Sequence, residues 1–149
     1  MRNSLFGTLL LCYCALTLIG QTPDASCCRL TAIVGSEAPS VLKVTVTNFN
    51  SRLVNLSETS AETDLYLVVL SEAGREADRT EHGKELLSRE RGGRRIGWQL
   101  KQGDSMSQVL DLRTLFELKS GIYKVSIKRS VNIGDVRIAL QTKVTVPIP

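Results

Sequence analysis

The stretch "DLRTLFELKSGIYKV", residues 111–125, places leucines and a phenylalanine directly before a glycine and a tyrosine. This pattern predicts a corner where the chain crosses between two sheets, because large apolar side chains there close the open end of a sandwich. A tyrosine just after such a corner commonly buries its ring while its hydroxyl holds nearby backbone. The predicted corner residues are Leu115, Phe116, Leu118, Gly121 and Tyr123. We therefore interpret the stretch as architecture and not as a site.

Outward from this corner, the dominant pattern is an alternation of apolar and polar residues with a period of two. This period is typical of strands with one face on a core and one face in water. Trp98 has apolar neighbours at strand spacing and is predicted to belong to the core. The strands predicted in this way are RLTAIVG (29–35), VLKVTVTN (41–48), IGWQL (96–100), GIYKVSIKRSV (121–131) and VRIALQTKVTV (136–146).

A further predicted strand, DLYLVVL at residues 64–70, is apolar on both faces. This indicates either a central strand or a strand whose outer face meets something else. If Tyr66, Val68 and Leu70 are exposed, they form an apolar patch of the kind that marks a partner surface.

Turn signals separate these runs, and another short strand is expected near Leu53–Leu56. The pattern predicts an all-β chain. Its fold is expected to be an immunoglobulin-like antiparallel β-sandwich of about seven to eight strands. The sandwich domain is expected to span residues 29–149.

The N-terminal residues predict a signal peptide helix over residues 1–20. Its apolar run, Leu5–Ile19, is shorter than the roughly 20 residues that a membrane helix needs, although an uncleaved signal anchor remains the alternative. After cleavage, residues 21–28 would form a flexible lead and no membrane span would remain. We therefore expect an exported protein, periplasmic or extracellular. The formal net charge of only +4 argues against dedicated binding of nucleic acid or of a membrane surface.

The predicted mature chain keeps only two cysteines, the adjacent Cys27 and Cys28. A disulfide between neighbours closes a small strained ring, so this pair cannot staple the domain. One interpretation is an intermolecular disulfide that links a homodimer in an oxidising compartment. The other is an incidental pair in the N-terminal lead.

A charged stretch at residues 75–95, "READRTEHGKELLSRERGGRR", interrupts the strand pattern. We expect a long surface loop with a turn or two of helix near Glu81–Ser88, and such insertions often carry function. Its arginines are suited to bidentate contacts with a carboxylate- or phosphate-rich protein partner. The alternative is a solvated loop in which neighbouring acidic residues pair with them. The candidate partner-binding arginines are Arg89, Arg91, Arg94 and Arg95.

Several motifs carry a family resemblance: VTVTN (44–48), LKQGDS (100–105), DLRTLFEL (111–118), GIYKV (121–125) and VTV (144–146). Their order resembles a family of bacterial exported immunoglobulin-like sandwich proteins, mostly uncharacterised. That family is distantly similar to proteinase-inhibitor-like and fibronectin type III sandwiches. The resemblance implies an immunoglobulin-like fold over most of the mature chain, and it brings no catalytic residues with it.

Residues suited to catalysis are few. His82 is the only histidine and has no partner at zinc-binding spacing, and neither a phosphate loop nor a nucleophile elbow is present. We expect a non-catalytic binding or structural module with an unknown protein partner and with no cofactor or metal. A proteinase inhibitor that presents a loop is the first alternative, and a hydrolase is the second. The aspartates that leave a hydrolase open are Asp64, Asp104, Asp111 and Asp135.

Overall fold

The computed structural model describes residues 27–58, 60–88 and 96–149. The predicted signal peptide helix and the four candidate arginines (Arg89, Arg91, Arg94 and Arg95) lie outside the described residues. The strands are β1 (Cys28–Val34), β2 (Val41–Asn48), β3 (Val54–Glu58), β4 (Tyr66–Ser71), β5 (Ile96–Leu100), β6 (Ser105–Asp111), β7 (Gly121–Ile133) and β8 (Val136–Ile148). The helices are α1 (Ala61–Asp64), α2 (Glu81–Ser88) and α3 (Leu112–Leu115).

Two antiparallel sheets pack as a β-sandwich, which confirms the predicted all-β class. One sheet has the order β1-β2-β6, and the other has the order β4-β7-β3-β5 with β8 on the free side of β7. The alternation of the sequence explains the packing. On β2, for example, Leu42, Val44 and Val46 are buried in the core, while Lys43 between them is exposed.

The longest strand, β7, forms a hairpin with β8 in which Gly121 pairs with Ile148 and Ile133 pairs with Val136. Gly134 in the connecting turn has a φ of 58°, in the left-handed region that a glycine adopts without strain. The inward side chains of β7 are Tyr123, Val125, Ile127, Arg129, Val131 and Ile133, all buried. Arg129 is the one charged side chain among these inward residues of β7.

An insertion separates β3 from β4, and both strands pair with the same side of β7. Val54 lies opposite Ile133, and Tyr66 lies opposite Lys128. The chain therefore uses twelve residues, from 54 to 66, beside a length of β7 that spans only five, from 133 to 128. The chain is therefore seven residues longer than the sheet needs, and the described part of this excess, residues 60–65, lies outside the strands and includes α1. The two strands are thus halves of one interrupted strand.

β4 lies at an edge of its sheet, and among the described residues no further long strand pairs with its outer edge. Instead, the chain turns back after Ser71 and covers part of the outer edge of β4. The amide of Ser71 donates to the carbonyl of Arg75, and the amide of Ala77 donates to that of Val69, both at 2.8 Å. β4 is thus an edge strand and not the central strand of the first interpretation. Its outer face is only partly covered, since Tyr66 is 48% exposed and Val68 and Leu70 are half-buried.

The corner lies between α3 and β7. Leu115 and Phe116 are buried, and Leu118 is partly buried against the core. The hydroxyl of Tyr123 donates to the carbonyl of Lys119 and accepts from its amide, both at 3.1 Å. These contacts fix the chain as it enters β7.

The prediction that Trp98 belongs to the core is wrong. Trp98 lies opposite the buried Leu56, so it is on the inward face of the sheet, but it remains 49% exposed. The physical reason is its position on β5, the last strand at this border of the sheet, where the core ends.

Candidate functional site

Helix α2 forms where a turn or two of helix was expected, and its first turn is fixed by Thr80. The hydroxyl of Thr80 accepts from the amide of Gly83 at 3.0 Å, which is the N-cap contact that satisfies a free helix amide. The same hydroxyl donates to the carbonyl of Thr114 at 2.7 Å, and the amide of Thr80 donates to the carbonyl of Leu115 at 3.0 Å. Thus α2 is attached to α3 and to the corner.

Gly83 lets α2 approach α3 more closely than any other residue would. A Cβ placed on Gly83 would lie 2.3 Å from the carbonyl oxygen of Leu115, a distance that Cβ atoms essentially never show. A glycine inside a helical pattern is a sequence signal for close packing of this kind. The sequence analysis did not use that signal.

Arg79 connects the returning segment to the corner. Its guanidinium lies 4.7 Å from the centroid of the Phe116 ring, within the range of a cation–π contact. Its Nη2 donates to the carbonyl of Leu67 on β4 at 3.4 Å. The side chain is only 18% exposed, so Arg79 acts mainly in holding β4, the segment and the corner together.

Glu62 of α1 receives contacts from two other elements. Nε2 of His82 lies 3.4 Å from one carboxylate oxygen, and the hydroxyl of Thr114 donates to the other at 3.3 Å. Nucleophilic catalysis needs the imidazole bonded to the hydroxyl, with the carboxylate behind it. Here the imidazole and the hydroxyl both contact the carboxylate, so the trio does not activate a nucleophile. His82 itself lies on a helix and not in a loop.

A small cleft lies between α1, β4 and α2. Its apolar wall consists of Leu65, Leu67, Leu86 and Leu115, and Glu62 and Arg79 supply its charged groups. The cavity volume of this open cleft is about 30 Å³, whereas ligand pockets usually measure about 300–1,000 Å³. The cleft therefore does not hold a substrate-sized molecule.

Tyr66 and Leu87 line the same cleft and are exposed by 48% and 55% of their surface. We call the surface formed by Glu62, Tyr66, His82 and Leu87 the helical face. Of the predicted apolar patch, only Tyr66 is strongly exposed, because Val68 and Leu70 are half-buried. Leu87 was not predicted as a candidate.

A buried polar cluster lies beneath this surface. Arg129 of β7 donates through Nη1 to the side-chain oxygen of Gln108 on β6, and its Nη2 lies 3.8 Å from the carboxylate of Asp64. The amide nitrogen of Gln108 donates to the same carboxylate at 3.0 Å. The side chains of Arg129 and Asp64 are only 3% and 8% exposed. The cluster thus joins the inserted helix to both sheets.

The cysteine pair lies at the start of the first sheet, and Cys28 is the first residue of β1. Its Sγ lies 3.7 Å from that of Cys27, and its side chain is in the core. Burial, with a smaller contribution from the contact with Cys27, raises the pKa of the Cys28 thiol to about 12. Because the thiolate is the reactive form, Cys28 is inert at neutral pH, while Cys27 is only partly buried.

The turn aspartates of the hydrolase alternative do not form one constellation. The carboxylate of Asp111 accepts from the amide of Arg113 and caps α3, while that of Asp104 accepts from the amide of Lys101. These two residues flank the length of β6, roughly 20 Å at the usual rise per residue. Among the described residues, no group of three or more metal-binding side chains is arranged to hold a metal ion.

Comparison with known proteins found no relative of this chain. No family model, no curated protein and no solved structure matches the chain. None of the helices in residues 27–58, 60–88 and 96–149 is long and apolar enough to cross a membrane. The proposals below therefore rest on the sequence and the structure of the chain itself.

Proposed function

We propose that this chain is an exported, non-catalytic immunoglobulin-like module that binds a protein partner through the helical face. The observation that carries the proposal is the exposure of Tyr66 and Leu87 on either side of a cleft too small for a substrate. Aromatic and leucine side chains at a surface contribute contact area when a partner covers them, and a rigid support lowers the entropy lost on binding.

Two features support an immunoglobulin-like arrangement of the sandwich. The chain changes sheets between β2 and β3, between β5 and β6 and between β6 and β7, so that sequence neighbours are divided between the two sheets. The hydroxyl of Tyr123 returns to the backbone four residues upstream, as in the tyrosine corner of immunoglobulin-like domains. Export is supported by the apolar N-terminal run Leu5–Ile19.

The polar groups of the helical face suit recognition better than chemistry. Glu62 and His82 form a partly exposed pair that a partner can complement with its own charges. Arg89 and the three further arginines follow α2 directly in the sequence, and they extend the proposal to a partner with carboxylate or phosphate groups.

The proposal is tested by site-specific photo-crosslinking in the native envelope. A photoreactive phenylalanine analogue replaces Leu87 in one variant and Ile122 in a control, because Ile122 is similarly exposed but lies on β7 outside the helical face. We expect a discrete adduct from position 87 and none from position 122. Equal adducts at both positions, or none at position 87, would overturn binding through the helical face.

Export is tested separately by cell fractionation of the native producer. The processed chain should accumulate outside the cytoplasm and should lack its first residues by mass spectrometry. A full-length chain found only in the cytoplasm would contradict the exported role, whatever the crosslinking result.

A further inference from the structure

Seven of the described strands begin or end at the same end of the sandwich. These are the starts of β1, β3, β6 and β8 and the ends of β2, β5 and β7. The pairing fixes this arrangement, because Cys28 lies opposite Asn48 in one sheet and Val54 lies opposite both Leu100 and Ile133 in the other. The described chain begins here at Cys27, whose carbonyl accepts from the amide of Phe49 at 2.9 Å. We call this end, with the loop 49–53 and the turns 101–104 and 134–135, the tether end.

Three large apolar side chains project from the tether end into solvent. Phe49 is 49% exposed, Leu53 is 45% exposed and Val136 is 44% exposed. Single exposed apolar residues are common on protein surfaces and need no explanation. Three on adjoining connections at one end form a set that a partner surface can cover.

The loop that carries Phe49 and Leu53 is held rigidly by Asn48, which is completely buried. The side-chain nitrogen of Asn48 donates to the carbonyls of Arg52 and Leu100, both at 2.9 Å. Its side-chain oxygen accepts from the amide of Asn50 at 2.7 Å. Two apolar side chains are therefore presented outward by a loop that is fixed from within.

Cations accompany these apolar side chains. The guanidinium of Arg29 lies 5.2 Å from the centroid of the Phe49 ring. The exposed cations of the tether end are Arg29, Arg52, Lys101 and Arg137, and its exposed carboxylates are Asp104 and Asp135. Cations outnumber carboxylates here, although the chain as a whole carries only +4. The tether end is therefore locally basic, although the net charge of the whole chain is low.

The position of the N-terminus adds an independent argument. Residues 20–26 connect the apolar run Leu5–Ile19 to Cys27. Seven residues span at most about 25 Å even when fully extended. While the apolar run occupies a bilayer during export, the tether end is the part of the domain held nearest to the lipid.

We propose that the tether end docks on the surface of an anionic phospholipid bilayer. Phe49 and Leu53 enter the boundary between headgroups and acyl chains, and the surrounding cations contact lipid phosphates, as amphipathic membrane-surface segments do. The helical face lies away from this end and stays free for a protein partner, so the docking rests on the proposed export but not on the proposed protein binding. The formal net charge by itself did not favour a membrane-surface protein, and the proposal rests instead on where the charges lie.

The test reads the orientation of the domain on vesicles, and the vesicles that lack phosphatidylglycerol show how much of the signal a retained N-terminal segment causes by itself. In a Trp98→Phe background, Phe49→Trp places the single tryptophan at the tether end, and Tyr66→Trp places it on the helical face as the matched control. Both full-length variants are mixed with phosphatidylcholine vesicles that contain or lack phosphatidylglycerol and carry brominated acyl chains.

We expect bromine quenching and a blue shift for the Phe49→Trp variant with anionic vesicles, and neither for the Tyr66→Trp variant. Arg52→Glu with Lys101→Glu should weaken partitioning at least tenfold, since each cation contributes about fivefold near an anionic surface. Thermal unfolding by circular dichroism checks that the variants fold. Absent or equal quenching of the two variants would overturn the proposal. So would a blue shift of Phe49→Trp without vesicles that grows with protein concentration, because the tether end would then cover a second copy.

Discussion

The carboxylate of Asp64 lies 3.8 Å from the buried guanidinium of Arg129. This ion pair holds helix α1 against β7 at the point where the chain leaves β3 and before it enters β4. Gln108 of the other sheet bonds to both side chains. A buried charge needs a partner of opposite sign, since desolvation of a lone ion costs several kcal/mol. The insertion thus supplies the charge that makes an arginine acceptable inside the sandwich.

Removal of both members of this ion pair should destabilise the fold by less than the sum of the two single removals. We expect Asp64→Ala or Arg129→Met alone to lower the free energy of unfolding by about 3–5 kcal/mol, because each removes one side of a buried, hydrogen-bonded ion pair. The double variant should lose clearly less than the sum of the single losses. Urea unfolding of the four proteins measures the coupling. Additive losses would show that the two side chains do not act as a pair.

Gly83→Ala should detach α2 from the corner, although alanine favours helix by about 1 kcal/mol in an isolated helix. The new Cβ would meet the carbonyl oxygen of Leu115 at 2.3 Å, and backbone cannot yield cheaply. We expect a loss of about 1–3 kcal/mol in the free energy of unfolding and a weaker Leu87 crosslink. Gly97→Ala is the matched control, since its Cβ would meet nothing within 4 Å. Equal stability of the two variants would contradict the close packing of α2.

Alternation was sufficient to predict the buried faces of β2 and most of β7, because a half-buried strand leaves a period of two in the sequence. It could not reveal Arg129 as a buried residue, since a charged side chain normally indicates the water face. Both β3 and β4 were predicted as strands, but their pairing with the same strand, β7, was not predicted, because the sequence of a strand does not specify its partner. The burial of Trp98 was predicted wrongly for a related reason. Alternation predicts which face of a sheet a side chain lies on, but not whether its strand is at the edge of the sheet.

Cys27 should react with a thiol reagent in the folded protein while Cys28 should not. Cys28 is buried with its pKa raised to about 12, and a reagent needs both access and a thiolate. Iodoacetamide labelling followed by peptide mass spectrometry distinguishes the two sites, and labelling in urea should modify both. If an intermolecular disulfide forms, Cys27→Ser should remove the dimer band and Cys28→Ser should not. Native labelling of Cys28 at the rate of Cys27 would refute its burial.

Stability should fall at alkaline pH because of Cys28. The unfolded thiol ionises near its ordinary value of 9.0, while the folded thiol retains its proton up to about 12. The contribution of the buried thiol is therefore complete below pH 9 and decreases as pH rises from 9 to 12, at about 1.4 kcal/mol per pH unit. Urea unfolding at pH 8, 9 and 10 should show this extra slope in the wild-type chain and in Cys27→Ala but not in Cys28→Ala. An identical slope in all three proteins would refute it.

Replacement of the arginines that follow α2 should weaken partner binding in a salt-dependent way. The change is the joint substitution of Arg89, Arg91, Arg94 and Arg95 by alanine. We expect the yield of the Leu87 crosslink to fall, and the remaining yield to vary less with salt than in the wild type, because charge contacts at a surface are screened by ions. The matched control removes four exposed lysines, none of which lies opposite Tyr66: Lys43, Lys119, Lys124 and Lys143. Both variants lose the same formal charge, so a shared decrease would indicate a general charge effect. An unchanged yield in the arginine variant would remove these residues from the proposed interface and leave Tyr66 and Leu87 as its centre.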